Sequence, residues 1–299
     1  MIYTFTLSPA LDLTVKCIGF ACGEINRVEE TEIFPGGKGI NISIILNELG
    51  IENEAVGISS GFTGAELERL LGERKIKYSF IRLESGMTRI NVKIKGKEET
   101  DVNGQGADIP ESAFDALLEK INTFKKGDTA IFSGSVPKNV QPFAYECLCE
   151  RAAEKGASII VDAEGELLTR TLKYKPFLIK PNKAELEGIF SHHLDCDSEI
   201  EEHAKKLLDS GAQNVLVSLG AGGSMLVNKD FTDRLPSFSG KVINTTGAGD
   251  SMLAGFVAGY LKENNLKKAH LLASAAGSAT AFSASLATAD SIKSLLKNK

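Results

Sequence analysis

Short, nearly continuous apolar runs separated by helical stretches constrain this chain more than any other feature. Ala130-Ile-Phe132, Ser158-Ile-Ile-Val-Asp162, Phe177-Leu-Ile-Lys180, Asn214-Val-Leu-Val-Ser218 and Ser224-Met-Leu-Val227 read as strands, and so does Met1-Ile-Tyr-Thr-Phe-Thr-Leu7. Strands that lack polar alternation are buried on both faces, as in a parallel sheet covered by helices. Helical spacing fills the intervals, for example around 143–154 and 199–208. This order predicts an α/β fold with right-handed crossovers. In such a fold ligands gather beyond the carboxyl ends of the strands.

Two stretches break the rhythm. Leu11, Leu13, Val15 and Cys17 alternate with Asp12, Thr14 and Lys16, while Ile90, Val92 and Ile94 alternate with Arg89, Asn91, Lys93 and Lys95. A period of two marks half-buried antiparallel strands, apolar on one side only. With roughly residues 27–34 they predict a small separate sheet. Asp12 and Arg89 fall on its polar faces. Exposed strands carry charges there without any function, so the alternation alone assigns them none.

Chemistry enters at Asn244-Thr-Thr-Gly-Ala-Gly-Asp250, followed by an apolar stripe at Met252, Leu253, Phe256, Val257, Tyr260 and Leu261. This is a Gly-rich turn opening a helix. The first helical N–H groups lack internal partners, and the helix dipole adds positive charge there. Such an end attracts phosphate. Asp250 is a poor residue for holding an anion, yet it fits a base that takes the proton of an attacking hydroxyl. Aspartate near a helix start is also a common cap. A second turn, Phe34-Pro-Gly-Gly-Lys-Gly-Ile-Asn41, precedes a stripe at Ile42, Ile45, Leu46 and Leu49. Pro35 and the adjacent glycines force it to be tight. Lys38 offers a mobile charge, and Asn41 both donors and an acceptor. The Gly-x-x-x-x-Gly-Lys-Ser/Thr pattern is absent, so this is not a P-loop.

The two turns together resemble both signatures of the ribokinase-like (PfkB) carbohydrate kinases. Ser8-Pro-Ala-Leu-Asp12, Lys180-Pro-Asn-Lys-Ala-Glu185 and Ser218-Leu-Gly-Ala-Gly-Gly223 extend the resemblance, in order, over essentially the whole chain. Thr88-Arg-Ile-Asn-Val-Lys93, Thr100-Asp-Val-Asn-Gly104 and Phe132-Ser-Gly-Ser-Val-Pro137 are most similar to its hexose-phosphate branch. The resemblance implies a three-layer α/β/α sandwich, with a mostly parallel central sheet and a small antiparallel β-sheet lid. The core would take residues 1–8, 35–86 and 101–299, and the lid residues 9–34 and 87–100.

It also implies an activity: transfer of phosphoryl from ATP, with Mg²⁺, to the 6-hydroxyl of fructose 1-phosphate. Tagatose 6-phosphate is the alternative acceptor. Asp250 would be the base, and the N–H groups of Gly247, Ala248 and Gly249 an anion hole. Asp12 and Asn41 would hold sugar hydroxyls over a floor kept low by Gly36 and Gly37. Lys180, Asn182, the turn Ser218, Leu219, Gly220, Ala221, Gly222 and Gly223, and Gly249 with Asp250 would line the nucleotide. Asn182 and Glu185 would arrange water around Mg²⁺, which prefers to keep its water shell. Read without the resemblance, Glu185 is a solvated residue in the first turn of a helix. Two positions depart from the family pattern: Gly222, where relatives often carry a charge, and Ser8, where they often have asparagine.

A phosphate already on the substrate needs cations. Lys38 and Arg89 are the best placed, with Arg27 and Lys93 behind them; arginine suits bidentate phosphate binding and lysine acts as a point charge. That pair disfavours an unphosphorylated acceptor such as a nucleoside. The intact Asp250, Asn182 and Glu185 disfavour a regulatory protein that binds sugar or nucleotide without catalysis.

Composition narrows the setting. The formal charge is −5 over 299 residues with no basic block, which argues against nucleic acid as a partner. Five cysteines at 17, 22, 147, 149 and 196 show no metal-site spacing and suit a reducing cytoplasm. No leader or membrane span is visible in the sequence. The open edges and apolar face of the small sheet predict a homodimer joined through the lids.

Overall fold

The structure, a computed structural model, describes residues 1–297. Strand β1 (Ile2–Thr6) leads to β2 (Ala10–Lys16) and β3 (Glu30–Gly36). After α1 (Lys38–Glu48) come β4 (Asn53–Ser60), α2 (Gly61–Glu73), β5 (Lys77–Leu83), β6 (Arg89–Lys95) and β7 (Glu99–Asn103). Then follow α3 (Glu111–Asn122), β8 (Thr129–Ser133), α4 (Ala144–Glu154), β9 (Ser158–Asp162), α5 (Gly165–Thr169) and β10 (Leu178–Ile179). Next are α6 (Lys183–Phe190), α7 (Asp197–Asp209), β11 (Asn214–Ser218), β12 (Ser224–Asn228) and β13 (Thr232–Leu235). The last helices are α8 (Ala248–Glu263), α9 (Leu266–Ala281) and α10 (Ala289–Lys297).

The large sheet has nine strands in the order β13-β12-β11-β10-β9-β8-β1-β4-β5. From β5 to β11 every pairing is parallel; β12 and β13 return antiparallel as an edge hairpin. Strand β10 is shorter than its apolar run because Pro181 has no N–H to continue the ladder. Side chains on β9 divide between two cores. Ile159 and Val161 pack with Leu117, Leu148 and Leu207 from α3, α4 and α7. Ile160 packs on the other face with Ile45, Leu253 and Ala273 from α1, α8 and α9. Burial on both faces is why these strands read as unbroken apolar runs.

The second sheet has four strands, ordered β3-β2-β6-β7. Its outer pairings are antiparallel, while β2 and β6 run parallel because both leave the core in the same direction. Strand β7 escapes the sequence pattern: Val102 is its one apolar side chain. A knot of hydrogen bonds ties the base of β6 to the core. The Thr88 N–H donates to the Ser60 carbonyl at 2.9 Å and the Ser60 N–H to Thr88 Oγ1 at 3.0 Å, while Thr63 Oγ1 donates to the Thr88 carbonyl at 2.7 Å. On the apolar face, Leu11 packs with Leu67 and Leu71 of α2, but Ile33 and Val102 remain 47% and 55% exposed.

At the other end, the edge hairpin is fixed to α9 through a buried histidine. His270 Nε2 pairs with Ser224 Oγ at 2.8 Å and Nδ1 with Asp233 Oδ2 at 2.8 Å. This bond line sets the spacing between the turn at 219–223 and α9.

Candidate active site

Helices α1 and α8 pack together and start at the same place, beyond the carboxyl ends of the central strands. Each start is made by a glycine turn. Gly247 caps α8 with φ 76°, in the left-handed region where a side chain is disfavoured, and an added Cβ would come 2.6 Å from Leu286. The N–H groups of Gly247 and Gly249 meet no partner among the described residues, while that of Ala248 donates to the Thr245 carbonyl at 3.2 Å. Two of the three expected anion-hole donors are therefore uncommitted, at the positive end of a helix of 16 residues.

Asp250, in the first turn of α8, is 6% exposed. Asn41, from the first turn of α1, donates Nδ2 to its Oδ2 at 2.8 Å. Burial, followed by the Asp162 charge, pushes its pKa up to about 6 against the opposing pull of Asn41, Lys38 and Lys180. A carboxylate tuned in this direction is a better proton acceptor than an exposed one.

Asp162, at the end of β9, is fully buried and faces both Lys38 and Lys180, each Nζ at 3.3 Å. Burial raises its pKa, but Lys180 and Lys38 outweigh that and hold it below the usual carboxylate range. Lys38 answers in kind. Burial opposes its charge, yet Asp162, Asp250 and Glu185 hold the ammonium above the usual lysine range. The Lys38 side chain thus turns to the core carboxylates, 3.8 Å from Glu185 on its far side, and is not paired off with the lid.

Asn182 and Glu185 form a capping box at the start of α6. Asn182 Oδ1 accepts from the Glu185 N–H at 2.8 Å, and Glu185 Oε2 accepts from the Asn182 N–H at 2.8 Å. Glu185 is not the solvated residue that a bare helix-start reading suggests; its side chain is 10% exposed. One carboxylate oxygen is used by the cap, and Oε1 faces Lys38. Among the described residues no three carboxylate, thiol or imidazole groups converge to form a cage. The donor set fits Mg²⁺ that keeps its water and meets the protein through Glu185 and Asn182.

These groups share a cleft of 1110 Å³. Gly37, Lys38, Asn41, Arg89, Lys180, Asn182, Glu185, Ser218, Gly220, Ala221, Gly223 and residues 247–250 all line it. Leu219 and Gly222 do not; their turn bonds to itself, from the Gly222 N–H to the Leu219 carbonyl at 3.0 Å. Asp12 lines an adjoining cavity of 170 Å³, with Lys93 and Asn41 common to both spaces. Gly36 lies against the Asp12 carboxyl, so close that an added Cβ would stand 2.6 Å from its Cγ. Arg27 is exposed on the loop between β2 and β3, outside the cleft lining.

Arg89 has no ion-pair partner among the described residues, and its Nε is buried without a hydrogen bond. Burial, opposed by the Asp12 charge, draws its pKa below the usual arginine value. Such a cation, half-buried and unpaired, is arranged for an incoming anion. Lys93 is less free, since Asp101 stands 3.6 Å from its Nζ.

Sequence reasoning missed several parts of the site, among them residues 237–240 and Asp101 and Asn103 of β7; two others are more telling. One is Asp162, whose signal was an acidic residue closing an apolar parallel strand. The other is the wall made by Ser274, Gly277, Ser278 and Ala281 of α9, opposite Gly220 and Ala221. Its signal was a helix with unusually small side chains.

A buried carboxyl with a raised pKa, free helix-start N–H groups and lysines at one end of a parallel sheet fit a phosphotransferase site. The profile of pfkB family carbohydrate kinases matches residues 6–293, and the chain belongs to that family. It is 38% identical over 300 residues to 1-phosphofructokinase of Bacillus subtilis, covering 99% of this chain and 97% of that protein. It is 39% identical over 287 residues to D-tagatose-1-phosphate kinase of Bacillus licheniformis, covering 96% and 94%. Phosphofructokinase-2 of Escherichia coli, solved in complex with substrates and products, superposes with a TM-score of 0.94 at 29% identity, covering 99% and 98%. Ribokinase of Thermotoga maritima shares the fold, with a TM-score of 0.80 at 23% identity over 100% and 99% of the two chains. The architecture is the ribokinase-like α/β fold.

The Asp250 environment predicts the pH dependence of the kinase. A base must be ionised to act, and a raised pKa means that it is lost at a higher pH than an ordinary carboxylate. In a pH–rate profile, kcat/KM for phosphoryl transfer should fall about tenfold per unit below a midpoint near 6. A midpoint near 4, the usual carboxylate range, contradicts the assignment.

Proposed function

We propose that this chain phosphorylates fructose 1-phosphate at its 6-hydroxyl, using ATP and yielding fructose 1,6-bisphosphate and ADP. One observation carries the reading. An unpaired, half-buried Arg89 and a buried Asp250 set against free N–H groups lie in the same cleft, one suited to a phosphate and the other to a hydroxyl. The relative from Bacillus subtilis named 1-phosphofructokinase supports the choice of sugar.

In this reading Asp250 orients the 6-hydroxyl and takes its proton, with Asn41 fixing which carboxylate oxygen faces the sugar. The N–H groups of Gly247 and Gly249 stabilise charge on the transferred phosphoryl group. Lys38 and Lys180, held by Asp162, face the phosphate chain. Asn182 and Glu185 would hold Mg²⁺ through its water, and the ion would supply further charge neutralisation on the phosphate oxygens. The small-residue face of α9 and the turn at 220–223 leave room for the nucleoside. The polar face of the lid excludes water that would otherwise take the phosphoryl group.

A second reading keeps the site and changes the sugar. The Bacillus licheniformis relative is named for tagatose 1-phosphate, whereas the alternative drawn from sequence was tagatose 6-phosphate. In the first case the phosphate occupies the same end as in fructose 1-phosphate. Five unpaired thiols accord with a cytoplasmic enzyme. The exposed apolar patch at Ile33 and Val102 is the surface through which two lids would pair.

Asp250→Asn is expected to lower kcat by about 10²–10⁴ with little change in the ATP KM; near-normal turnover defeats the base assignment. Arg89→Ala should raise the phosphosugar KM roughly 10- to 100-fold, the equivalent of about 1.5–3 kcal/mol for hydrogen bonds to a charged group, and leave the ATP KM nearly unmoved. Equal shifts in both contradict its role. A panel of fructose and tagatose phosphates under saturating Mg-ATP, ranked by kcat/KM, decides the acceptor. For the dimer, sedimentation of Ile33→Asp with Val102→Asp should give a monomer where the native chain gives a dimer; an unchanged native-like dimer removes the lid from the interface.

A further inference from the structure

Among the described residues four buried side-chain atoms have no hydrogen-bond partner: Thr6 Oγ1, Arg89 Nε, Asn91 Oδ1 and Glu146 Oε2. Buried polar atoms are seldom left in this state without a reason. Arg89 and Asn91 are two positions apart on β6 and both line the cleft. The guanidinium is accounted for by a phosphate. The Asn91 amide oxygen is not accounted for by anything in the reading so far.

Asn91 is 7% exposed. It lies between Asp12 of β2 and Asn103 of β7 in the strand register. Its Nδ2 donates to Asp12 Oδ1 at 2.8 Å. An ionised carboxylate only accepts, so it dictates which end of the amide it meets: the NH₂ is turned to Asp12 and the carbonyl oxygen is turned away. That oxygen is a buried acceptor in a residue lining the cleft, and it waits for a donor. Asp12, fixed by the same amide, is a second acceptor beside it. Two adjacent acceptor oxygens, one on Asp12 and one on Asn91, match two adjacent donors. A pair of neighbouring hydroxyls on a sugar ring is such a ligand, and a phosphate or a carboxylate is not.

We propose that Asn91 is a substrate-binding residue that determines specificity: its amide oxygen accepts from one ring hydroxyl while Asp12 takes the neighbouring one. The proposal rests on the ketohexose-phosphate reading above and extends it to which hydroxyls are read. In fructose 1-phosphate the neighbouring ring hydroxyls are those on carbons 3 and 4, and tagatose differs from fructose in the configuration at carbon 4. The Asp12–Asn91 pair is therefore placed where the two sugars differ. A sugar lacking one of these hydroxyls leaves a buried acceptor unpaired, which is the kind of defect a polar site rejects most strongly.

The test compares kcat/KM for fructose 1-phosphate with its 3-deoxy and 4-deoxy analogues in the native enzyme and in Asn91→Ala, Asn91→Ser and Asp12→Ala. The native enzyme should disfavour each analogue by roughly 10- to 100-fold. Asn91→Ala should erase the penalty at one carbon only, and Asp12→Ala the penalty at the other, with the ATP KM unchanged in all three variants. Asn91→Ser, which keeps a smaller polar group, serves if the alanine variant does not fold. Native enzyme that accepts both analogues as well as the parent sugar overturns the proposal without any variant. So does an Asn91 variant that keeps both penalties, or one that erases the same penalty as Asp12→Ala, since Asn91 would then only orient Asp12. Native enzyme that turns over no ketohexose phosphate overturns the functional reading itself, and this proposal with it.

Discussion

The Asp162 carboxylate is the charge around which the cleft is assembled. A buried ion without partners is too costly to keep, so its place at the end of β9 demands cations from other elements. Lys38 arrives from the start of α1 and Lys180 from the end of β10, each at 3.3 Å. These two contacts join segments 124 and 18 residues away from Asp162 in sequence, as 162 − 38 and 180 − 162. The same negative charge adds to burial in raising the Asp250 pKa, so one side chain both gathers the cations and tunes its neighbouring carboxyl.

Around that charge the scaffold contributes direction. Parallel strands place their carboxyl ends on one side, and the helices that follow glycine turns aim their positive ends at the same space. Asn41 and Asp250 join the two helix starts through a hydrogen bond of 2.8 Å. The end of the cleft beside α9 is built differently, from small side chains and self-bonded turns, with His270 joining the edge hairpin to α9.

Both glycine turns were legible because their chemistry is local: glycine, proline and charge at fixed spacing state a turn and what it presents. The Asn182–Glu185 pair came only through the family resemblance, since the residues alone read as a solvated helix start. The two-sided burial of the large sheet was legible as the turns were, in runs such as Ser158–Asp162. Asp162 was not, because an acidic residue closing a strand means nothing until two lysines are folded onto it. Small residues of α9 resemble ordinary core packing until the cleft opens beside them. Strand β7 carries too few apolar residues to show a period, and the parallel pairing of β2 with β6 depends on chain direction, which alternation does not encode. Asn41 was read as a contact to sugar; the structure adds that its amide donates to Asp250, a contact the sequence did not reveal.

The hydrogen-bond knot at Thr88 has a consequence for how a ligand is received. Arg89 directly follows this knot and is tied to the body of the protein, whereas Asn91 and Lys93 lie progressively further out along β6. Any swing of the small sheet about its stem would carry the outer residues furthest and Arg89 least. On the reading proposed above, an anion held by Arg89 would therefore sit at the fixed end of the strand, and a ring contacted by Asn91 at the part free to move.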